Sequence, residues 1–289
     1  MPVAVIDIGT NTTRLLVAEP QDGEVVELER RTVITRLGQG VDATGRLAGE
    51  AMDRVAEAIA GYRELIDRLD AEKVVAVATS AMRDAENGPA FRDYLREKYG
   101  VDARTISGDE EARLTFLGAT AGRNDDRDTV VIDIGGGSTE YVLGRAGEDP
   151  SFHTSTQMGS VRHTERFLRT DPPKQEELQA LAEDVRRIVP ELAAAHAIAV
   201  AGTATSLAAI DGAEEPHGYR LGLAACERIT AMLAALPVSE RRDVKGLHPD
   251  RAPTIVAGAV ILTESIRALG LELAEVSDRD LLHGAARAA

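Results

Sequence analysis

Tryptophan is absent from this chain, and aromatic residues of every kind make up only 3% of its 289 residues. A stacking platform for single-stranded nucleic acid needs several exposed rings, so that class of function is excluded. Basic residues are scarce beside acidic ones: 33 Lys and Arg stand against 48 Asp and Glu, a formal net charge of −15. Nucleic-acid binding rests on neutralising many phosphates, which this balance opposes. With Cys226 as the single cysteine, no intramolecular disulfide can form, and the chain suits a reducing compartment, the cytoplasm. The N-terminus lacks a basic segment, and Asp7 interrupts the first apolar run, so no signal peptide is expected. The most apolar late stretch, 255–262, is too short to span a bilayer, and no membrane role is expected. Zinc-type histidine spacing, a G-x-S-x-G elbow and a G-K-[ST] loop are all missing, which removes the corresponding metal, acyl-transfer and Walker-type readings.

What the chain does contain is one pentapeptide twice. V-I-D-I-G stands at 5–9 and again at 131–135, followed by Thr10-Asn11-Thr12-Thr13 and by Gly136-Gly137-Ser138-Thr139. Each copy reads as a buried strand ending in a turn rich in backbone N–H and hydroxyl donors. Such a turn can replace the hydration shell of a phosphate. Two of them point to a duplication whose halves grip one phosphate chain. In so acidic a protein that ligand also requires local basic residues or a bound cation.

The pattern around each copy is similar. Apolar segments at 3–8, 14–18 and 25–35 form an antiparallel meander, and 130–134, 141–144 and 152–157 repeat it. Met52, Val55, Ile59, Tyr62, Ile66 and Leu69 recur at helical spacing, and the short apolar run 74–78 reads as a covered strand. Further helices are expected at 91–99, at 176–192 and over most of the last third. A third Gly/Thr-rich turn is expected at 202–206, after a strand at 198–201. Strands alternating with helices indicate an α/β protein. The polar stretch 122–128 is the expected junction between a first domain, 1–123, and a second, 124–277.

Several residues in this frame carry chemistry. Asp7 and Asp133 each place a carboxylate in an otherwise apolar strand, which is costly unless the charge is paired, hydrogen-bonded or on a metal. One reading is a strand-end Asx-turn; the other is a grip on Mg²⁺, with Glu140 assisting Asp133. The three glycines Gly135, Gly136 and Gly137 suit close approach of backbone to a ligand, with Ser138 and Thr139 adding hydroxyls; Gly9, Thr10 and Asn11 hold the matching place in the first half. Ser107 and Glu110 fit a capping box, which leaves Glu111 without a structural task. Glu111 shares a helix face with Leu114, Thr115 and Gly118. It reads either as a carboxylate that deprotonates a water or as an acid stabilised by the helix dipole. Arg14 and Arg83 are the guanidinium candidates for phosphate oxygens. The basic stretch from Arg162 to Lys174 reads as a solvated helix face.

Taken together, A-V-I-D-I-G-T-N-T-T-R-L-L-V, A-T-S-A-M-R-D-A, I-S-G-D-E-E-A-R-L, V-V-I-D-I-G-G-G-S-T-E, M-G-S-V-R-H-T-E-R-F and V-A-G-T-A-T-S-L-A resemble the exopolyphosphatase/guanosine pentaphosphate phosphohydrolase family of the actin-like superfamily. S-D-R-D-L-L-H-G resembles its closing helix motif. The resemblance implies two actin-like (ribonuclease H-like) domains, each a mixed five-stranded sheet with helices, a cleft between them, and a final helix, 278–289, returning to the first domain. It implies processive release of orthophosphate from the end of polyphosphate with Mg²⁺ as cofactor, and a homodimer. It also implies Glu111 as the catalytic carboxylate and the two loops, 7–13 and 133–140, with Arg83 as phosphate ligands; the reading of the residues themselves puts Asp133, Glu140 and Asp7 at the metal. Guanosine pentaphosphate is the alternative substrate; a small-molecule kinase or an actin-like nucleotide switch is more distant. Ala201-Gly202 replaces the Gly-Gly of the kinases, which favours a hydrolase.

Overall fold

In the computed structural model the described residues are 1–21, 24–123 and 126–289; Asn124 and Asp125 of the expected junction lie outside them, as do Asp22 and Gly23. The chain forms two compact units, Met1–Gly122 with Leu281–Ala289, and Arg123–Asp280. No described helix is long and apolar enough to cross a membrane.

The first unit contains β1 (Val3–Ile8), β2 (Thr12–Gln21), β3 (Glu24–Ile34), α1 (Val41–Thr44), α2 (Gly49–Arg68), β4 (Lys73–Ala78), α3 (Ser80–Asp84), α4 (Gly88–Tyr99), β5 (Ala103–Thr105) and α5 (Gly108–Ala119). Its five strands are ordered β3-β2-β1-β4-β5, with β1–β2–β3 antiparallel and β4 and β5 parallel to β1. Alternation along β1 divides its side chains. Ala4, Ile6 and Ile8 join the core under α2, with Val55, Ile59, Tyr62 and Ile66. Val3 and Val5 face the other way, against Leu282, Ala285 and Ala286.

The second unit contains β6 (Thr129–Ile134), β7 (Thr139–Gly144), β8 (Phe152–Thr156), α6 (Ser160–Phe167), α7 (Gln175–Ile188), β9 (His196–Val200), α8 (Ala201–Asp211), β10 (Arg220–Gly222), α9 (Leu223–Ala235), α10 (Val238–Arg241), α11 (Ile255–Ala268) and β11 (Leu273–Val276). Its sheet has six strands, ordered β10-β11-β9-β6-β7-β8, rather than the expected five. The extra pairing comes from β10 and β11, of three and four residues, which are too short to show a period in an otherwise helical stretch. Both units nevertheless follow the expected α/β plan of a mixed sheet with helices. The last helix, α12 (Leu281–Ala288), packs on α5 and the first sheet.

One local reading differs from the sequence expectation. Residues 202–206 are not a turn but the opening of α8, which begins at Ala201 with a left-handed φ of 64°. Cys226 is buried in the second core, where burial pushes its thiol up to about 12, in keeping with a packing role.

Candidate functional site

Asp7 and Asp133 both sit on the face of their sheet opposite the larger core, because Ile6 and Ile8, and likewise Ile132 and Ile134, point into that core. Across the strand pair, Asp7 is opposite Arg14 and Asp133 is opposite Glu140. Directly opposed residues share a face, with Cβ atoms about 5 Å apart. The Arg14 guanidinium donates to Asp7 Oδ2 from Nε at 2.9 Å and from Nη2 at 2.7 Å. Arg14 and Asp7, expected at phosphate and metal respectively, are therefore committed to each other by charge-assisted bonds. Glu140, 1% exposed, accepts from the Ser155 hydroxyl at 2.6 Å, and Asp133 is 8% exposed.

Each strand pair closes through a loop whose carbonyls are turned backwards. In the first unit, Gly38 N–H donates to Thr10 O at 2.8 Å, and Thr35 and Arg36 both donate to Asn11 O at 3.0 Å. Arg36 takes a left-handed φ of 51° to make this contact, a conformation unfavourable for an L residue. In the second, Ser160 N–H donates to Gly135 O at 2.9 Å, and Val161 and Arg162 donate to Gly136 O at 2.8 and 3.1 Å. The glycine loop thus caps the start of α6, taking up N–H groups that a helix leaves without partners. Gly159 precedes α6 without a side chain because a Cβ there would collide with the backbone of Gly136 and Gly137. Arg162 Nε adds a bond to Gly137 O at 2.7 Å. The N–H groups of Gly136, Gly137 and Ser138 donate to no backbone carbonyl among the described residues. Oxygen dipoles held away and amides left over make a concavity suited to an anion.

The hydroxyls have separate tasks. Thr139 is fully buried and donates to Met158 O at 2.6 Å, and Thr10 Oγ1 accepts the N–H of Ala81 at 3.2 Å. Asn11 and Ser138 are buried at 9% and 2% exposure.

Glu111 lies in the first turn of α5, where its charge suits the helix dipole, and is 8% exposed. Ser107 caps this helix by accepting the Glu110 N–H at 3.1 Å. The reciprocal half of the capping box is not made; the Glu110 carboxylate instead takes Arg104 Nη1 at 2.6 Å. Arg83, at the end of α3, donates from Nη1 to Ile106 O at 2.9 Å, and the same nitrogen lies 3.4 Å from Glu111 Oε2. Since the Ala81 N–H also reaches Thr10, the five-residue α3 ties the first loop to the glutamate.

Sequence reasoning missed the two segments that back the loops, 35–38 and 159–163. The basic stretch beginning at Arg162 is also corrected at its start: Arg162 is 9% exposed and His163 is fully buried, so these two belong to the loop support and not to a solvated face. The available signal was glycine at 38 and 159, each placed where a Cβ would strike its loop. As for a metal, Asp133 and Glu140 offer two hard oxygen donors on one face. Among the described residues no group of three or more His, Cys, Asp or Glu stands ready to hold an ion. That arrangement fits Mg²⁺, which is commonly held by one or two carboxylates together with substrate phosphates and water.

A model of the Ppx/GppA phosphatase family matches residues 16–286. Exopolyphosphatase 2 of Mycobacterium tuberculosis is 38% identical over 311 aligned positions, covering 98% of this chain and 97% of that protein. The crystal structure of the Aquifex aeolicus Ppx/GppA family member superposes with a TM-score of 0.83 at 30% identity, covering 100% of this chain and 97% of the other. An exopolyphosphatase from Cytophaga hutchinsonii gives 0.89 at 26% identity, covering 98% and 96%.

Proposed function

This chain belongs to the Ppx/GppA phosphatase family, and from that premise we propose that it is an exopolyphosphatase, a phosphoanhydride hydrolase that releases orthophosphate processively from the end of inorganic polyphosphate. The observation that carries this reading is the pair of loops with their carbonyls drawn back, by 35–38 in one unit and by 160–162 in the other.

In the reaction, loop amides and, in the first unit, the Arg83 guanidinium are the groups able to bind phosphoryl oxygens. The Glu111 carboxylate accepts a proton from water as the water oxygen attacks the terminal phosphorus. The bridging P–O bond breaks, orthophosphate is released, and the chain is one residue shorter. Asp133 and Glu140 would hold Mg²⁺, which when bound supplies positive charge against the phosphate oxygens. Phosphoryl transfer depends mainly on positioning and neutralisation of charge, which is what these groups offer. Arg83, 3.4 Å from Glu111, serves the glutamate and the phosphate together.

The test is phosphate release from polyphosphate and from guanosine pentaphosphate, assayed in parallel. Polyphosphate is expected to be the better substrate, as the names of the relatives indicate; hydrolysis of the nucleotide alone would overturn this assignment. A cytoplasmic homodimer completes the proposal, with light scattering after size exclusion to measure the mass.

A further inference from the structure

His163 has no part in the chemistry above, yet it is fully buried beside the glycine loop. It lies in the first turn of α6, and its Nδ1 accepts the N–H of Gly159 at 3.4 Å. The backbone N–H of His163 donates to Gly159 O at 2.8 Å, the first i→i−4 bond of the helix. The side-chain half of this contact resembles that of a capping-box glutamate, which also reaches back to the N–H of the residue before a helix, but it is made here by an imidazole at the fourth helical position. With Nδ1 as acceptor, the neutral ring carries its proton on Nε2, which lies 3.3 Å from Asp184 Oδ2 on α7. Burial, together with Arg166 and Arg162, holds the ring neutral against the pull of Asp184. Phe167 packs on the ring at a centroid distance of 5.4 Å.

Gly159 is the residue against which the loop turns, and the next three N–H groups hold the Gly135 and Gly136 carbonyls. We propose that His163 is a positioning residue for the phosphate loop: by anchoring the Gly159 N–H, with Asp184 3.3 Å from its far nitrogen, it fixes the register of α6 against Gly135–Gly137 and so keeps the loop amides directed at phosphate. The contacts from His163 through Gly159 to Gly136 link α6 to the loop without touching substrate. This inference rests on the proposed reading of the loop as a phosphate ligand.

Two isosteric replacements separate the ring's positioning role from its bulk. Asparagine can place an oxygen near the position of Nδ1, whereas glutamine extends toward that of Nε2. His163→Asn should keep KM for polyphosphate near the wild-type value. His163→Gln should raise it about five- to tenfold, the scale of one lost positioning hydrogen bond, with kcat within about twofold. The amide resonances of Gly136 and Gly137 should shift in the Gln variant and stay in place in the Asn variant. Equal KM values in the two variants, or unmoved glycine resonances in the Gln variant, would overturn the proposal. A Gln variant that has lost cooperative melting also overturns it, since the ring then serves stability alone. If the wild type leaves polyphosphate uncleaved, the functional reading fails separately, and the glycine resonances decide the role of His163.

Discussion

Arg14 and Glu140 occupy the same place in two copies of one strand pair, each directly across an antiparallel ladder from an aspartate, Asp7 or Asp133. The backbone is repeated while the charge is reversed. In the first copy a guanidinium answers the carboxylate; in the second, two carboxylates share a face. Like charges directly opposed repel, and a bound cation would relieve that repulsion in the second pair. Glu140→Gln should therefore weaken Mg²⁺ binding about tenfold or more. Calorimetric titration of Mg²⁺ in the presence of orthophosphate would measure this. An unchanged Mg²⁺ affinity would remove Glu140 from the metal site.

Glu111→Gln keeps the size of the side chain and its contact with Arg83, but removes the basic oxygen. Turnover should fall at least about a hundredfold, the usual range for a general base, with polyphosphate affinity largely kept. Single-turnover phosphate release and equilibrium binding, measured on the same preparation, separate the two effects. Near wild-type release would rule out the role of Glu111.

The repeated V-I-D-I-G made the outline of both sheets visible in the sequence, because a buried strand announces itself by an unbroken apolar run and a glycine by its place at the end of it. The pairing of Asp7 with Arg14 was not visible in that way. It depends on strand register, and a periodicity of two states which residues share a face without stating which are opposed. His163 was hidden for a different reason. A histidine beside two arginines looks like surface charge, and only the path of the glycine loop across Gly159 shows that this end of α6 is enclosed. Strands β10 and β11 were missed because three or four residues carry too little pattern.

Gly284 in α12 lies against α5, and a Cβ there would fall on the Leu114 carbonyl. Leu114 is one turn beyond Glu111 on that helix, so a side chain at 284 displaces the helix that carries the glutamate. Gly284→Ala should cost about 1–3 kcal/mol by overpacking and lower kcat as well. Thermal melting followed by circular dichroism, together with kcat, tests both. A variant with wild-type melting and turnover would show that α12 and α5 can separate without consequence.

The buried imidazole also makes stability depend on pH with a definite sign. Burial first, then Arg166 and Arg162, lower His163 to about 4 from its usual 6.5, while Asp184 opposes the shift. Between these values the unfolded chain binds a proton that the folded chain does not. This contribution is therefore constant above pH 6.5, falls as the pH drops toward 4, and levels off below that. The loss reaches at most about 3 kcal/mol over the interval. Asp184 on α7 and Arg162 and Arg166 on α6 are the charged groups acting on the ring, so Asp184→Asn should steepen the decline by removing the one group that favours imidazolium. His163→Asn should flatten it, because asparagine does not titrate there. Urea midpoints at half-unit steps from pH 7 to pH 4 give the comparison. Parallel curves for wild type and His163→Asn would show that the ring is protonated at its ordinary pKa in the folded protein.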